Sequence, residues 1–177
     1  RGVDPNREAM VSDLEKNMIQ GEIDMLKRSK KAKVGPRHDN IILGKELSQK
    51  LSVQVGDVIS MVSPVSRLTP MGLIPKIKLF KVVGLFESGM FEYDSSLAFI
   101  SVQSAQRFFA MKGKVSGIEI RVEDIDSADK IATLLQENLG FPYYVRDWMR
   151  MNKNLFSALR LEKIVMFIIL ILIILVA

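Results

Sequence analysis

Residues 147–177 read DWMRMNKNLFSALRLEKIVMFIILILIILVA, and they set the architecture of everything before them. From Ile164 to Ala177 all 14 side chains are apolar. At 1.5 Å rise per residue such a run covers roughly 21 Å, short of the ~30 Å hydrocarbon core of a bilayer. A helix that is apolar all round needs cover on every side. No polar residue, Gly or Pro closes the run, so it is read as a transmembrane helix whose span is truncated at Ala177. Upstream, Trp148, Met151, Leu155 and Leu159 line one face of an amphipathic stretch. With no Gly or Pro after Asp147, the expectation is one continuous helix, about 45 Å long, from that residue to the end.

Working backwards, the chain is expected to be α+β. LAFIS (97–101) reads as a strand, and Ser101 caps a helix carrying Val102, Ala105, Phe108 and Phe109, ended by Gly113. VSGIEIRV (115–122) alternates as a half-buried strand. Asp126 or Ser127 caps a helix whose Ala128, Ile131, Leu134, Leu135 and Leu139 form a stripe, closed by Gly140 and Pro142. YYVRDW (143–148) returns as a strand. The order β-α-β-α-β predicts a small layered α/β unit over 97–147.

The preceding part, 1–96, reads as β-rich. Asp4-Pro5 starts a helix with Met10, Leu14 and Met18 at four-residue spacing. KRSKKAK (27–33) begins a polar, solvated loop to Asn40, broken by Gly35-Pro36. NIILG (40–44) is a strand, KELSQKL (45–51) a helix, Val55-Gly56-Asp57 a turn, and VISMV (58–62) and 77–86 are strands.

Between those last strands lies SPVSRLTPMGLIP (63–75). Pro64, Pro70 and Pro75 each lack a backbone donor, so the segment is expected to leave the sheet as a stiff loop. Leu68, Met71, Leu73 and Ile74, with Arg67, then occupy its tip. Either the tip docks a partner, pre-ordering having lowered the entropy cost of binding, or it folds back on its own sheet.

Composition narrows the chemistry. The chain has no cysteine and one histidine, His38, with a formal net charge of +5. A metal site of the hydrolase kind needs several His or carboxylate ligands. The acidic run EDIDSAD (123–129) lacks the central Gly and closing Glu of a calcium loop. No phosphate-cradling glycine loop and no nucleophile elbow occur. The basic clusters, at 27–33 and at Arg146, Arg150, Lys153, Arg160 and Lys163, carry no nucleic-acid recognition motif. No catalytic, cofactor or metal residue is expected.

Several short motifs together resemble a known family: Gly2-Val3-Asp4-Pro5, Ile42 to Leu47, Val55-Gly56-Asp57, Thr69-Pro70-Met71-Gly72 with Pro75, and Trp148 with Asn154-Leu155-Phe156 and Ala158 to Lys163. The chain resembles the LolC/LolE-type membrane subunits of the lipoprotein-releasing ABC transporter, relatives of MacB. That resemblance implies an inserted β-rich periplasmic subdomain over 1–96, with a proline-rich hook loop at 64–75. It implies the second half of a porter-like subdomain over 97–147, and an amphipathic-to-transmembrane helix over 148–177. It places the protein in a bacterial inner membrane, residues 1–147 mainly periplasmic. The implied partners are a cytoplasmic ATPase subunit, a second membrane subunit, a lipoprotein substrate and a periplasmic LolA-like carrier. Carrier contacts would fall on Pro64, Arg67, Leu68, Thr69, Pro70, Met71, Gly72, Leu73 and Pro75, assisted by Lys78. A MacB-like efflux subunit and a membrane-anchored sensor or scaffold are the alternatives.

Overall fold

In the computed structural model, residues 1–27, 38–69, 72–111 and 113–176 are described; at 64–69, 73, 74 and 155 the description is of backbone alone. The run 28–37, and so most of the expected basic loop, lies outside them. The chain forms two units, Arg1–Arg121 and Val122–Ala177.

The first unit is organised by the apolar run at 41–43. β3 (Asp39–Gly44) buries Ile41, Ile42 and Leu43 completely, so this strand reads as a continuous hydrophobic run because both faces are covered. Successive side chains point to opposite faces. Ile42 therefore joins Val3, Leu14, Ile23, Leu26, Phe86 and Phe99 on one side of the sheet. Ile41 and Leu43 join Phe80, Val82, Ile100 and Phe108 on the other.

The mixed sheet has six strands: β1 (Gly2–Val3), β2 (Met18–Gln20), β3, β4 (Val58–Thr69), β5 (Gly72–Phe86) and β6 (Ala98–Ser101). Their order is β1-β6-β3-β5-β2, with β4 also paired to β5. β1 runs parallel to β6 and β3 parallel to β5; the other pairings are antiparallel. Around the sheet lie the short helices α1 (Glu8–Val11), α2 (Lys45–Leu51), α3 (Phe91–Ser96) and α4 (Val102–Phe108). At Gly44 a Cβ would lie 2.1 Å from the Asp94 carbonyl oxygen, so only glycine lets the end of β3 pass α3. Ser101 caps α4 as expected, accepting from the Ser104 amide at 3.2 Å.

Four expectations are corrected. The helix begun at Asp4-Pro5 does not reach Met18. It stops at Val11, and Met18–Gln20 pairs with Leu85 and Phe86 as β2, because the open side of β5 offers 18–20 a ladder that a surface helix cannot match. Leu97 does not begin a separate unit. β6 lies between β1 and β3, and its Phe99 and Ile100 belong to the two cores, so the division falls at 121/122 instead.

Residues 115–122 and 143–148 form no strand. Alternation provides an apolar face but no hydrogen-bonding neighbour, and Val115, Ile118 and Ile120 stay exposed. The Gln136 side chain instead holds the second segment, donating to the Tyr143 carbonyl at 3.0 Å and accepting from the Val145 amide at 2.8 Å.

The second unit holds α5 (Ala128–Leu139), α6 (Trp148–Met151) and α7 (Lys153–Val176). The cap before α5 is displaced by two or three residues. Asp124 accepts from the Asp126 amide at 3.0 Å, while Ser127 donates its hydroxyl to the Asp124 carbonyl and leaves α5 without a side-chain cap. Of the expected stripe Ala128 is buried, joined by Ala132, while Leu134 and Leu139 are exposed.

The fourth correction concerns the continuous rod, which breaks at Asn152. The Asn152 amide side chain takes the Trp148 carbonyl at 2.8 Å, the same oxygen its own backbone N–H reaches at 3.1 Å. Such local side-chain bonding offers the backbone an alternative to helix. No helix of the described residues is long and apolar enough to cross a membrane. α7 carries Lys153, Arg160, Glu162 and Lys163 before its apolar part, and Ile164–Val176 rises roughly 20 Å.

Candidate docking surface

The candidate surface is built on β4 and β5. β3 pairs with β5 only from Phe80 onward, at Asp39, whereas β4 follows β5 outward to Thr69 opposite Gly72. Over 72–79, β4 is therefore the only strand paired with β5 among the described residues. This ribbon runs roughly 25 Å past the start of the β3 ladder at about 3.3 Å per residue.

The expectation that 64–75 leaves the ladder is corrected for 66–69 and 72–75, while Pro70 and Met71 lie outside the described residues. Pairing resumes at Ser66 opposite Pro75 and continues through Arg67–Ile74, Leu68–Leu73 and Thr69–Gly72. Proline is tolerated at an open strand edge, where no donor is required, and at register irregularities. Pro75 lies on a strand whose far side has no partner strand at this level, and Pro64 falls in the irregularity between Val62 and Ser66. Pro64 and Pro75 are absorbed by a two-stranded ribbon, which needs only one hydrogen-bonded edge per strand.

Gly72 is exposed with φ +111°, a left-handed conformation that suits glycine, so a side chain there would be strained even though a Cβ would meet nothing within 4 Å among the described residues. Pro75 is exposed. Pro70 and Met71, the centre of the expected hook, lie outside the described residues, as do the side chains of Pro64, Arg67, Leu68, Thr69 and Leu73.

Alternation divides the lower ribbon. Val62 opposite Ile77, Ser60 opposite Leu79 and Val58 opposite Lys81 make one face, where all four apolar side chains are exposed. Met61 opposite Lys78 and Ile59 opposite Phe80 make the other, which packs toward the core holding Phe108.

Lys78 thus faces the body of the unit. Its ammonium pairs with the Asp39 carboxylate, which is 5% exposed, while the lysine side chain is 24% exposed. Arg107 donates to both Asp39 oxygens, at 3.1 and 3.0 Å, and to the Ser104 hydroxyl at 3.1 Å. Lys76, on the same face of β5, donates to the Arg107 carbonyl at 2.5 Å and the Phe108 carbonyl at 3.1 Å. Burial alone would push the Asp39 carboxyl up; hydrogen bonds from Lys78 and Arg107 outweigh it and hold the group below its ordinary value.

Sequence reasoning overlooked Asp39 and Arg107. The available signal was a carboxylate opening the buried run at 41–43: an anion there requires a cation, but the spacing names none.

Residues 2–138 match the family model of the MacB-like periplasmic core domain. The chain is 42% identical over 174 residues to the "lipoprotein-releasing system transmembrane protein LolC" of Xylella fastidiosa (strain Temecula1 / ATCC 700964), covering 98% of this chain and 40% of that protein. The protein of the same name from Neisseria meningitidis serogroup B is 36% identical over 178 residues, covering 100% of this chain and 41% of the relative. That from Haemophilus influenzae is 29% identical over 159 residues, covering 88% and 39%. The chain therefore spans about two fifths of the length of these curated relatives. With most of its length matched, this chain belongs to the family of MacB-like periplasmic core domains.

Proposed function

We propose that this chain is the later periplasmic part, with the entry of a membrane helix, of a non-catalytic ABC-transporter subunit in a bacterial inner membrane. The subunit releases lipoproteins and passes them to a soluble periplasmic carrier docked on the β4–β5 ribbon. ATP is hydrolysed by a separate cytoplasmic subunit, and a second membrane subunit completes the transporter.

The observation that carries this reading is the ribbon extending beyond the sheet, its last described pair, Thr69 opposite Gly72, far from the start of the β3 ladder. Paired strands leading up to a binding segment restrict its backbone before binding, so a partner is spared part of the ordering entropy. The family match and the relatives' printed names support the transport context. Carrier contacts are assigned to Pro64, Arg67, Leu68, Thr69, Pro70, Met71, Gly72, Leu73 and Pro75. Lys78 contributes through the ribbon's base. The α6–α7 segment links the periplasmic part to the membrane, its apolar run Ile164 to Ala177 entering the bilayer.

A photo-crosslinker at Met71 in the intact subunit should capture the carrier, and Pro70→Glu should abolish capture. Capture that persists in Pro70→Glu, and in a second variant with Arg67→Glu, discards the docking assignment. No capture by the parent would favour a MacB-like efflux subunit, which shares the core domain but docks no such carrier.

A further inference from the structure

A two-stranded ribbon is marginally stable alone and flexes where its support ends. Here support from β3 ends at Phe80, yet Lys78 and Lys76, the next two residues outward on the inner face, still reach the body, at Asp39 and at the end of α4 respectively. Lys76 satisfies two backbone carbonyls at the C-terminal end of α4, where unpaired carbonyls and the helix dipole favour a cation. Lys78 reaches α4 indirectly: both it and Arg107 bind one carboxylate.

The geometry points to Asp39 as a positioning residue that fixes the direction of the β4–β5 ribbon by bridging Lys78 on β5 to Arg107 on α4. This deepens the docking assignment above and rests on it for its functional consequence, though not for its geometry.

Three facts favour orientation over general stability. The carboxylate is nearly enclosed while its two cations keep part of their surface in solvent, and charge-assisted hydrogen bonds to it are stronger than neutral ones. Two cations, Lys78 and Arg107, meet on the single Asp39 carboxylate, so without it they repel and the base of the ribbon is pushed from α4. Asp39 itself opens β3, opposite Phe80, at the level where the ribbon departs. A carrier that requires one ribbon direction binds in proportion to the time spent in it.

The chain has no cysteine, so spin labels at Pro75→Cys on the ribbon and Leu51→Cys on α2 report the angle without background. In detergent micelles, well below the melting temperature, the parent full chain should give one narrow distance distribution. Asp39→Asn should at least double its width. Lys78→Gln, which leaves the Asp39–Arg107 pair in place, should widen it less and serves if Asp39→Asn fails to fold. In the intact unlabelled subunit, capture from Met71 should fall about 5-fold, as for a ribbon correctly directed a fifth of the time. An unchanged width in a folded variant overturns the bridge. Widening with undiminished capture overturns the positioning role. If the parent captures nothing, the docking assignment falls, and the width alone decides the bridge.

Discussion

Phe80 of β5 and Phe108 of α4 meet edge to face, with ring centroids 5.9 Å apart and an interplanar angle of 83°. Both rings are buried, and Phe108 also meets Phe109 at 5.0 Å. Phe80 is the strand partner of Asp39, so at one level of the sheet the base of the ribbon is seated on α4 by both an aromatic pair and ion pairs. Edge-to-face geometry places the positive ring edge on the negative face of its partner and adds to the area buried.

Phe108→Ala should therefore cost about 3–5 kcal/mol, through lost transfer energy and the cavity left beneath β5. Urea unfolding followed by near-ultraviolet circular dichroism measures it. A loss under about 1 kcal/mol would mean that the sheet collapses onto the space and that α4 is not seated as described.

The Asp39 bridge gives stability a definite pH dependence. Its folded-state carboxyl titrates below the unfolded value, after hydrogen bonds from Lys78 and Arg107 overcome the opposing effect of burial. The unfolded chain then binds the proton first as pH falls. The stability is fully present above the ordinary carboxylate value near 3.9 and is lost as pH falls through the lower folded value. Thermal melts between pH 3 and pH 6 should show this acid-side decline in the parent. Asp39→Asn should flatten it; equal slopes in the two proteins would contradict the pairing.

Asn152→Ala should fuse α6 and α7. The substitution removes the side chain that bonds the Trp148 carbonyl and raises helix propensity by up to about 0.7 kcal/mol. Trp148 and Phe156 already meet across the break at 5.1 Å, so the register for fusion exists. Increased helical signal, and slower hydrogen exchange at the amides of 152–156, are the expected readouts. Unchanged exchange would place the cause of the break elsewhere.

Much of the central sheet was legible because its signals are local. The run Ile41-Ile42-Leu43 announces a doubly covered strand, and Ser101 sits where a cap must sit. What misled were patterns that require a second element to acquire meaning. Val115 to Val122 alternates as a strand does, but alternation carries no hydrogen-bonding partner, and among the described residues the segment joins no ladder. Met10, Leu14 and Met18 keep helical spacing, yet Met18 answers to the open side of β5, and the helix ends at Val11. Pro64 and Pro75 forbid a central strand but not a ribbon edge, a distinction that depends on which neighbours the fold provides.

By itself, then, the order of residues determined what each local interaction could enforce: buried apolar runs, the cap at Ser101, the all-apolar character of 164–177, and the absence of thiol chemistry from a chain without cysteine. Tertiary structure alone decided that Lys78 and Arg107 share the buried Asp39 carboxylate, across 69 positions of sequence, and that 66–69 and 72–75 ride on paired strands. The reason is physical. Capping and periodicity act within a few residues, whereas desolvated charge pairing and strand pairing are settled by whichever distant groups the packed sheet brings within about 3 Å.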